Sequence, residues 1–484
     1  MLNMVAVIKL HLQKYKGDIM KKTKIIATLG PSSTNQKTLK EMVEAGLNVA
    51  RINFSHGNLQ QNQATLDLVK SVREKLKRPI AIMVDTRGPE VRVKTFKGDS
   101  VVLKRGQEFC LYRADKIGDE KGVSITEPSI LPRLNAGNTI LANDGLIVLK
   151  VVESAKDYVK TKVITGGKLS NNKGLTFKNF DLNLPYISKR DKEDLIWAFN
   201  NKCDYVACSF VTSAQDIIEI KNLMQKCNHS CKIIAKIESA SGIKNLKSIL
   251  EECDGVMVAR GDLGVEYPVQ KLPNIQSQII STARDMRKIS IVATEMLESM
   301  IRNPRPTRAE VSDVANAIRE GASAIMLSAE SSVGSYPVKA VKTMTEIALE
   351  IEKDMDCESL NTNTKIKDNI ANITTTMAIN ITYKLPTKAI AICTSHGKMA
   401  TYVSTLLPKC DIYAITNDQD TYYQMALLRG VKSIYLPKFN ETKIFNNIND
   451  ALLAQKLVKS GDHIVVVTGT TDEFSNVVKI NTIE

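Results

Sequence analysis

No stretch of the 484-residue chain approaches the ~18 consecutive apolar residues that a helix needs to cross a bilayer. That argues against a membrane partner. There is no G-x-x-x-x-G-K-[ST] phosphate loop and no dinucleotide fingerprint. The common P-loop ATPases are thereby excluded, and any nucleotide must be held by another device. The formal net charge is +14, yet no long basic run with interleaved aromatics occurs. Lysines are scattered, often beside asparagine, so a solvated basic surface accounts for the charge better than nucleic-acid binding does. The nine cysteines show no disulfide framework. Several, such as Cys208 and Cys393, sit in strand-like apolar runs, as reduced cytoplasmic thiols do. Cys227, His229 and Cys231 in "CNHSC" hint at metal-ligand spacing, but no second Cys/His pair follows, which argues against zinc.

The opening "MLNMVAVIKLHLQKYKGDI" lacks the apolar length of a secretory leader and the arginine of a transit peptide. Met20 then opens "MKKTKIIATLG", which reads like a natural start. Residues 1–20 are therefore read as a misassigned start or a poorly ordered extension.

Hydrophobic residues make up 43% and charged residues 24%, the balance of a globular protein large enough for more than one core. Short β-branched runs alternate with longer amphipathic stretches, the mark of βα units and a parallel sheet. Eight such runs occur: "TKIIATLG", "LNVARINFS", "IAIMVDT", "YVACSF", "KIIAKIES", "GVMVARGDL", "SIVATEML" and "SAIMLSAES". They predict an α/β fold, a (β/α)8 (TIM) barrel over 21–87 and 184–356, with its site at the polar C-terminal strand ends. Residues 88–183 break the plan with Gly-rich turns and short alternating strands, predicting an inserted β-barrel domain that acts as a lid. Residues 357–484 supply further βα units and late strands, predicting a separate α/β domain for regulation or oligomerisation. The joint is "ESLNTNTKIKDN"; no low-complexity linker is present.

The strand ends collect polar groups. Arg51, Asn53, Ser55 and His56 follow the second strand, and Asp85 and Thr86 the third. Lys236 and Glu238 come from the fifth, Arg260, Gly261 and Asp262 from the sixth, Thr294 and Glu295 from the seventh, Ser328 and Glu330 from the eighth. Lys236 and Glu238 stand two apart in an apolar strand, hence on one face. A buried Lys–Glu pair is costly unless fully hydrogen-bonded. Glu238 and Asp262 from adjacent strands can chelate one hard divalent cation such as Mg2+. With Arg51 and Lys236 beside it, that is the equipment of phosphoryl transfer. In "ARGDLGVE" the glycines admit close backbone approach, and a helix starting there would favour an anion. Each residue also has a plainer reading. Asn53, Ser55 and Thr86 suit caps and turns, Thr294 could satisfy a barrel backbone group, and Glu90, Arg92 and Lys173 could be solvated charges.

"TKIIATLGPSS", "GLNVARINFSHG", "DTRGPEVR", "AKIES", "MVARGDLGVE", "ATEMLESMIRNPRPTRAEVSDVANAI" and "MLSAES…SYP" resemble, in order, the motifs of pyruvate kinase. The resemblance spans nearly all of the chain after Met20. It implies a barrel, a lid and a C-terminal domain in a cytoplasmic homotetramer, and phosphoryl transfer from phosphoenolpyruvate to ADP. It implies Mg2+, with Mn2+ as a substitute, and K+. By the same resemblance Lys236 stabilises the phosphoryl in flight, Arg51 binds the substrate phosphate, and Gly261, Asp262 and Thr294 contact substrate, Thr294 near the point of enolate protonation. Glu238 and Asp262 become Mg2+ ligands, and Asn53, Ser55, Asp85 and Thr86 K+ ligands. Asn53, Phe54, Ser55, His56, Arg92 and Lys173 become nucleotide contacts. Glu90 in "GPE" is the acid typical of K+-dependent members, so K+ dependence is expected.

Departures are visible too. Glu295 replaces the usual Gln, "MLSAESSVGSYP" lacks a common lysine, and "NKGLTFKNFDLNLP" departs from the usual lid sequence. In the C-terminal region His396 and Met399 replace hydroxyl-bearing residues, and Asp472 and Glu473 stand where basic groups would favour a sugar bisphosphate. This argues against fructose 1,6-bisphosphate as an activator; a sugar monophosphate, a nucleotide monophosphate or no effector stay open. A barrel lyase using Mg2+ and a basic binding protein on the same scaffold are the rival readings.

Overall fold

The structure, a computed structural model, describes residues 21–484 apart from 179, 181, 183, 228, 361–368, 438–443 and 472–473. The expectations for 1–20, for most of the polar joint and for Asp472 and Glu473 lie outside the described residues.

All eight apolar runs form strands: β1 (Lys24–Thr28), β2 (Val49–Asn53), β3 (Ala81–Asp85), β4 (Tyr205–Cys208), β5 (Lys232–Ile237), β6 (Gly255–Ala259), β7 (Ile289–Ala293) and β8 (Ala324–Leu327). They pair in parallel, each with its neighbour in sequence, and β8 returns to β1, closing the barrel. Alternation sorts their side chains. Ile25, Ala27, Ala50, Ile52, Ile82, Val84, Ile233, Ala235 and Ile237 join the core between barrel and helices. Ile26, Val49, Met83, Tyr205, Ala207, Ile234, Met257, Ile291 and Met326 fill the barrel interior. Continuing the second set by two residues reaches Thr28, Arg51, Asp85, Ser209 and Lys236. The period of two therefore aims these polar groups inward at the barrel mouth.

Between β3 and β4 the insert folds around a core of its own, built from residues such as Val91, Phe109, Leu111, Val123, Leu149, Val159, Leu175 and Phe177. The expected β-barrel takes the form of a seven-stranded, mostly antiparallel sheet with a separate two-stranded ladder joining Gly167–Ser170 to Ser100–Leu103. The C-terminal region carries a five-stranded sheet in the order Val431–Tyr435, Asp411–Thr416, Ala389–Cys393, His463–Thr471, Phe474–Thr482. Only the last pairing is antiparallel. The C-terminal region is tied to the barrel floor: Tyr205 Oη donates to the carbonyl of Gln424, in the helix Gln419–Gln424, at 2.7 Å, and Lys24 Nζ to that of Val431, in the sheet, at 2.8 Å. Among the described residues no helix is long and apolar enough to cross a membrane. All nine cysteines are unbridged, and Cys208 and Cys393 do lie in strands.

Candidate active site

Lys236 occupies the centre of the mouth. Its Nζ lies 2.6 Å from Ser209 Oγ, 2.9 Å from Glu238 Oε1 and 3.2 Å from Asp85 Oδ1. Burial works against its charge, but Asp85 and Glu238 outweigh that and hold the ammonium above its ordinary value. The side chain is therefore a fixed cation with three oxygen partners. Lys236 and Glu238 thus form an ion pair. Neither is confined to the other: Glu238 Oε2 also accepts the Phe210 N–H at 2.6 Å.

Arg51 lies beside this group, 7% exposed. Its Nε donates to Asp85 Oδ2 at 2.7 Å and its NH1 to Thr28 Oγ1 at 2.7 Å. Asp85 is thus gripped by two cations. Burial would raise its pKa, yet Arg51 and Lys236 bring it below the usual carboxylate range.

Asp262 arrives on a short helix, Arg260–Glu266, directly after β6. Its carboxyl lies close enough to Lys236 and Glu238 to feel both; burial raises its pKa despite the pull of Lys236. Glu238 is raised by burial as well, against Lys236, with the Asp262 charge adding to the rise. Glu238 is buried and Asp262 half-buried, and two carboxylates sharing a site repel unless positive charge lies close to both. A divalent cation fits that need, and carboxylate oxygens are the right donors for Mg2+. Among the described residues no three His, Cys, Asp or Glu side chains converge as a metal cage. Remaining ligands would have to be water and substrate oxygens, as is usual for Mg2+. The hint of zinc at "CNHSC" gains nothing: Cys231 Sγ rests 3.6 Å from Met224 Sδ.

Thr294 follows β7 with φ +69 and Glu295 with φ +52. A β-branched residue in the left-handed region is a true outlier, at a cost of ~1–3 kcal/mol. The turn is held from both sides. Thr294 Oγ1 donates to the Ala293 carbonyl at 2.6 Å and accepts the Gly261 N–H at 2.9 Å. Arg260 NH2 donates to the Thr294 carbonyl at 2.5 Å while its NH1 bridges both oxygens of Asp313 at 2.6–2.7 Å. Arg260 therefore braces the turn from behind. Glu295 lines a cavity of about 560 Å3 together with Arg260, Arg284 and Arg319. The Gly261 N–H is already used within the chain, so the helix start does not present it freely to an anion.

The remaining sequence-predicted residues are placed unevenly. Asn53 Oδ1 accepts the Ser55 N–H at 3.0 Å, so the plain turn role is real, and Asn53 stands level with Asp85 in the β2–β3 register. Thr86 Oγ1 accepts the Ser209 N–H at 3.2 Å. Asn53, Ser55, Asp85 and Thr86 thus belong to the ends of two adjacent strands, β2 and β3. His56 is an exposed residue whose ring is partly covered; that loss of water, then Arg92, Arg51 and Arg87, lowers its pKa. Arg92 is paired with Glu90 at 2.6 Å and donates to the Asn172 carbonyl at 2.7 Å. Glu90 is raised by burial, with Arg92 opposing. The Phe54 ring is 1% exposed and packs on that of Trp197 at 5.2 Å, which leaves the residue's backbone to meet a nucleotide. Lys173 lies in the insert, 3.9 Å from exposed Asp144, and touches none of the mouth residues in this arrangement. In the C-terminal region Met399 is a core side chain, 6% exposed, while His396 is exposed beside the helix Lys398–Thr405.

Ser209 is a mouth residue that the sequence reading passed over. The signal was available, since "YVACSF" is a strand with a polar residue at its end.

Residues 20–341 match the family model described as pyruvate kinase, barrel domain, and residues 372–481 that described as pyruvate kinase, alpha/beta domain. A pyruvate kinase of Clostridium perfringens is 39% identical over 457 residues, 93% of this chain and 96% of that protein. One from Geobacillus stearothermophilus is also 39% identical, over 93% of this chain and 78% of its own length. The crystal structure of a pyruvate kinase from Cryptosporidium parvum superposes with a TM-score of 0.90 at 30% identity, covering 98% of each chain. The chain belongs to the pyruvate kinase family, the phosphotransferases that convert phosphoenolpyruvate and ADP to pyruvate and ATP.

Proposed function

We propose that the barrel mouth carries out this reaction with Lys236 as the fixed positive charge facing the transferred phosphoryl. The observation that carries the reading is the ammonium held by Asp85, Ser209 and Glu238 beside the Glu238–Asp262 carboxyl pair. In the reaction the bond from phosphorus to the enol oxygen breaks. A bond forms from phosphorus to a terminal β-phosphate oxygen of ADP, and the enolate takes a proton at its methylene carbon. Negative charge spreads over the phosphoryl oxygens in transit, so preorganised cations do most of the protein's work. Arg51 anchors the phosphate end of the substrate. Gly261 gives it close passage along the backbone, and Thr294 would stand near the carbon that receives the proton. Glu238 and Asp262 would hold Mg2+ (or Mn2+), which neutralises phosphate oxygens when bound. Asn53, Ser55, Asp85 and Thr86 would hold K+. His56, Arg92 and the backbone of Phe54 would meet the nucleotide, with Lys173 joining when the insert, as a lid, approaches. A homotetramer in the cytoplasm is the assembly and location proposed, and the family generally uses a divalent metal with K+.

The test is pyruvate release from phosphoenolpyruvate plus ADP and Mg2+, in K+ or Na+, for wild type and Lys236→Met. Formation should require ADP, be faster in K+ and be largely lost in the variant. Pyruvate without ADP would favour the lyase reading, and a fully active Lys236→Met would remove the lysine from its role.

A further inference from the structure

Ser209 directly follows β4, on the inward parity of Tyr205 and Ala207, and is 2% exposed. Its Oγ donates to the Thr86 carbonyl at 2.7 Å. With the hydroxyl proton directed there, the oxygen's lone pairs are left for Lys236 Nζ, and this 2.6 Å contact is the shortest of the three the ammonium makes. The next residue, Phe210, has φ +54, a strained conformation for an aromatic side chain. That twist delivers the Phe210 N–H to Glu238 Oε2. Two consecutive residues thus divide an ion pair: a hydroxyl takes the ammonium and an N–H takes the carboxylate.

The same turn touches both segments that carry the insert. The Ser209 carbonyl accepts Tyr186 Oη at 2.9 Å, on the chain returning from the insert. Gly88, on the chain leaving for it, has φ +71 and lies against that carbonyl; a Cβ there would sit 2.7 Å from the oxygen.

We propose that the Ser209–Phe210 turn is a positioning element for phosphoryl transfer, setting Lys236 through Ser209 Oγ and tying that setting to the insert through Tyr186 and Gly88. The proposal rests on the reading of Lys236 given above. Without Ser209 the ammonium has only two carboxylates as partners, and a lysine on its flexible stem shifts toward them. A displacement of ~1 Å at a reacting centre costs about 100-fold in rate.

The experiment compares Ser209→Ala, Tyr186→Phe and the double variant with wild type in steady-state pyruvate formation, with thermal midpoints measured alongside. Ser209→Ala should lower kcat about 10- to 100-fold with KM for ADP within about twofold and the midpoint little changed. Tyr186→Phe should lower kcat about 3- to 10-fold, and the double variant should be no worse than Ser209→Ala, because both act through one turn. A Ser209→Ala kcat within about twofold of wild type overturns the proposal, as does a double variant in which the losses multiply. If Ser209→Ala does not fold, Tyr186→Phe decides alone: a lower kcat at unchanged KM for ADP supports the link, and an unchanged kcat refutes it. An inert Lys236→Met beside a fully active Ser209→Ala sinks only this proposal, whereas an active Lys236→Met sinks the parent reading.

Discussion

Replacing Gly261 with alanine separates a demand of the fold from a demand of the ligand. An ideal Cβ at 261 would meet Thr294 Oγ1 at 3.6 Å, Cβ at 3.8 Å and Cγ2 at 3.9 Å, all ordinary contacts. The residue sits in the helix Arg260–Glu266 and is not among those with positive φ. Nothing inside the chain therefore requires glycine. Alanine in a helix costs less backbone entropy, so Gly261→Ala should leave stability unchanged or raise it by up to ~1 kcal/mol. A substrate passing along this backbone would meet the new methyl, and overpacking of that kind costs ~1–3 kcal/mol. At 1.36 kcal/mol per decade, kcat/KM should fall by about 5- to 150-fold. The assay is a thermal melt with and without phosphoenolpyruvate, beside steady-state kinetics. A ligand-free melt equal to wild type with a depressed kcat/KM is the expected result. Wild-type kcat/KM in Gly261→Ala would show that no substrate passes there, and a marked loss of ligand-free stability would show that the steric argument is wrong. Gly88→Ala is the contrasting case: its Cβ would sit 2.7 Å from the Ser209 carbonyl oxygen at φ +71, so the ligand-free melt itself should fall.

Glu238→Gln removes one of the paired carboxylates, so Mg2+ should no longer raise the melting midpoint in the presence of phosphoenolpyruvate. Wild type should gain up to about 2.7 kcal/mol at a hundredfold excess over Kd, and an unchanged Mg2+ shift in the variant would take Glu238 out of the metal site. Glu90→Lys places an ammonium near the proposed K+ donors, so the ratio of rates in K+ and Na+ should fall toward one. An undiminished ratio would mean that position 90 does not decide the cation requirement.

The barrel was legible because each strand is a short apolar run that turns polar at one end. Eight such runs in succession match the strand count and the polar mouth of a closed parallel sheet. Lys236, Glu238 and Asp262 were legible because charge within or just after a buried strand demands a partner or a task. Conformation was less so. Nothing in "ATEML" announces that Thr294 and Glu295 both lie at positive φ, since neither is a residue type that favours it. The burial of the Phe54 ring against Trp197 was not legible either, because proximity along the chain says nothing about which face a side chain takes. Ser209 was overlooked because a serine carries no cost that calls for explanation, unlike a buried ammonium.

The insert also bears on how the chain reaches its native state. β3 and β4 are neighbours in register, Met83 opposite Tyr205, yet the whole insert is synthesised between them. Barrel closure must therefore await a distant sequence, the kind of contact that slows folding. Loop length itself adds little, ~0.6 kcal/mol for each doubling. An insert that condenses early around Val91, Phe109, Leu149 and Phe177 would act as a short rigid bridge, bringing the ends of β3 and β4 together before the barrel forms. On this argument, mutations in the core of the insert should slow refolding of the barrel more than their distance from it suggests.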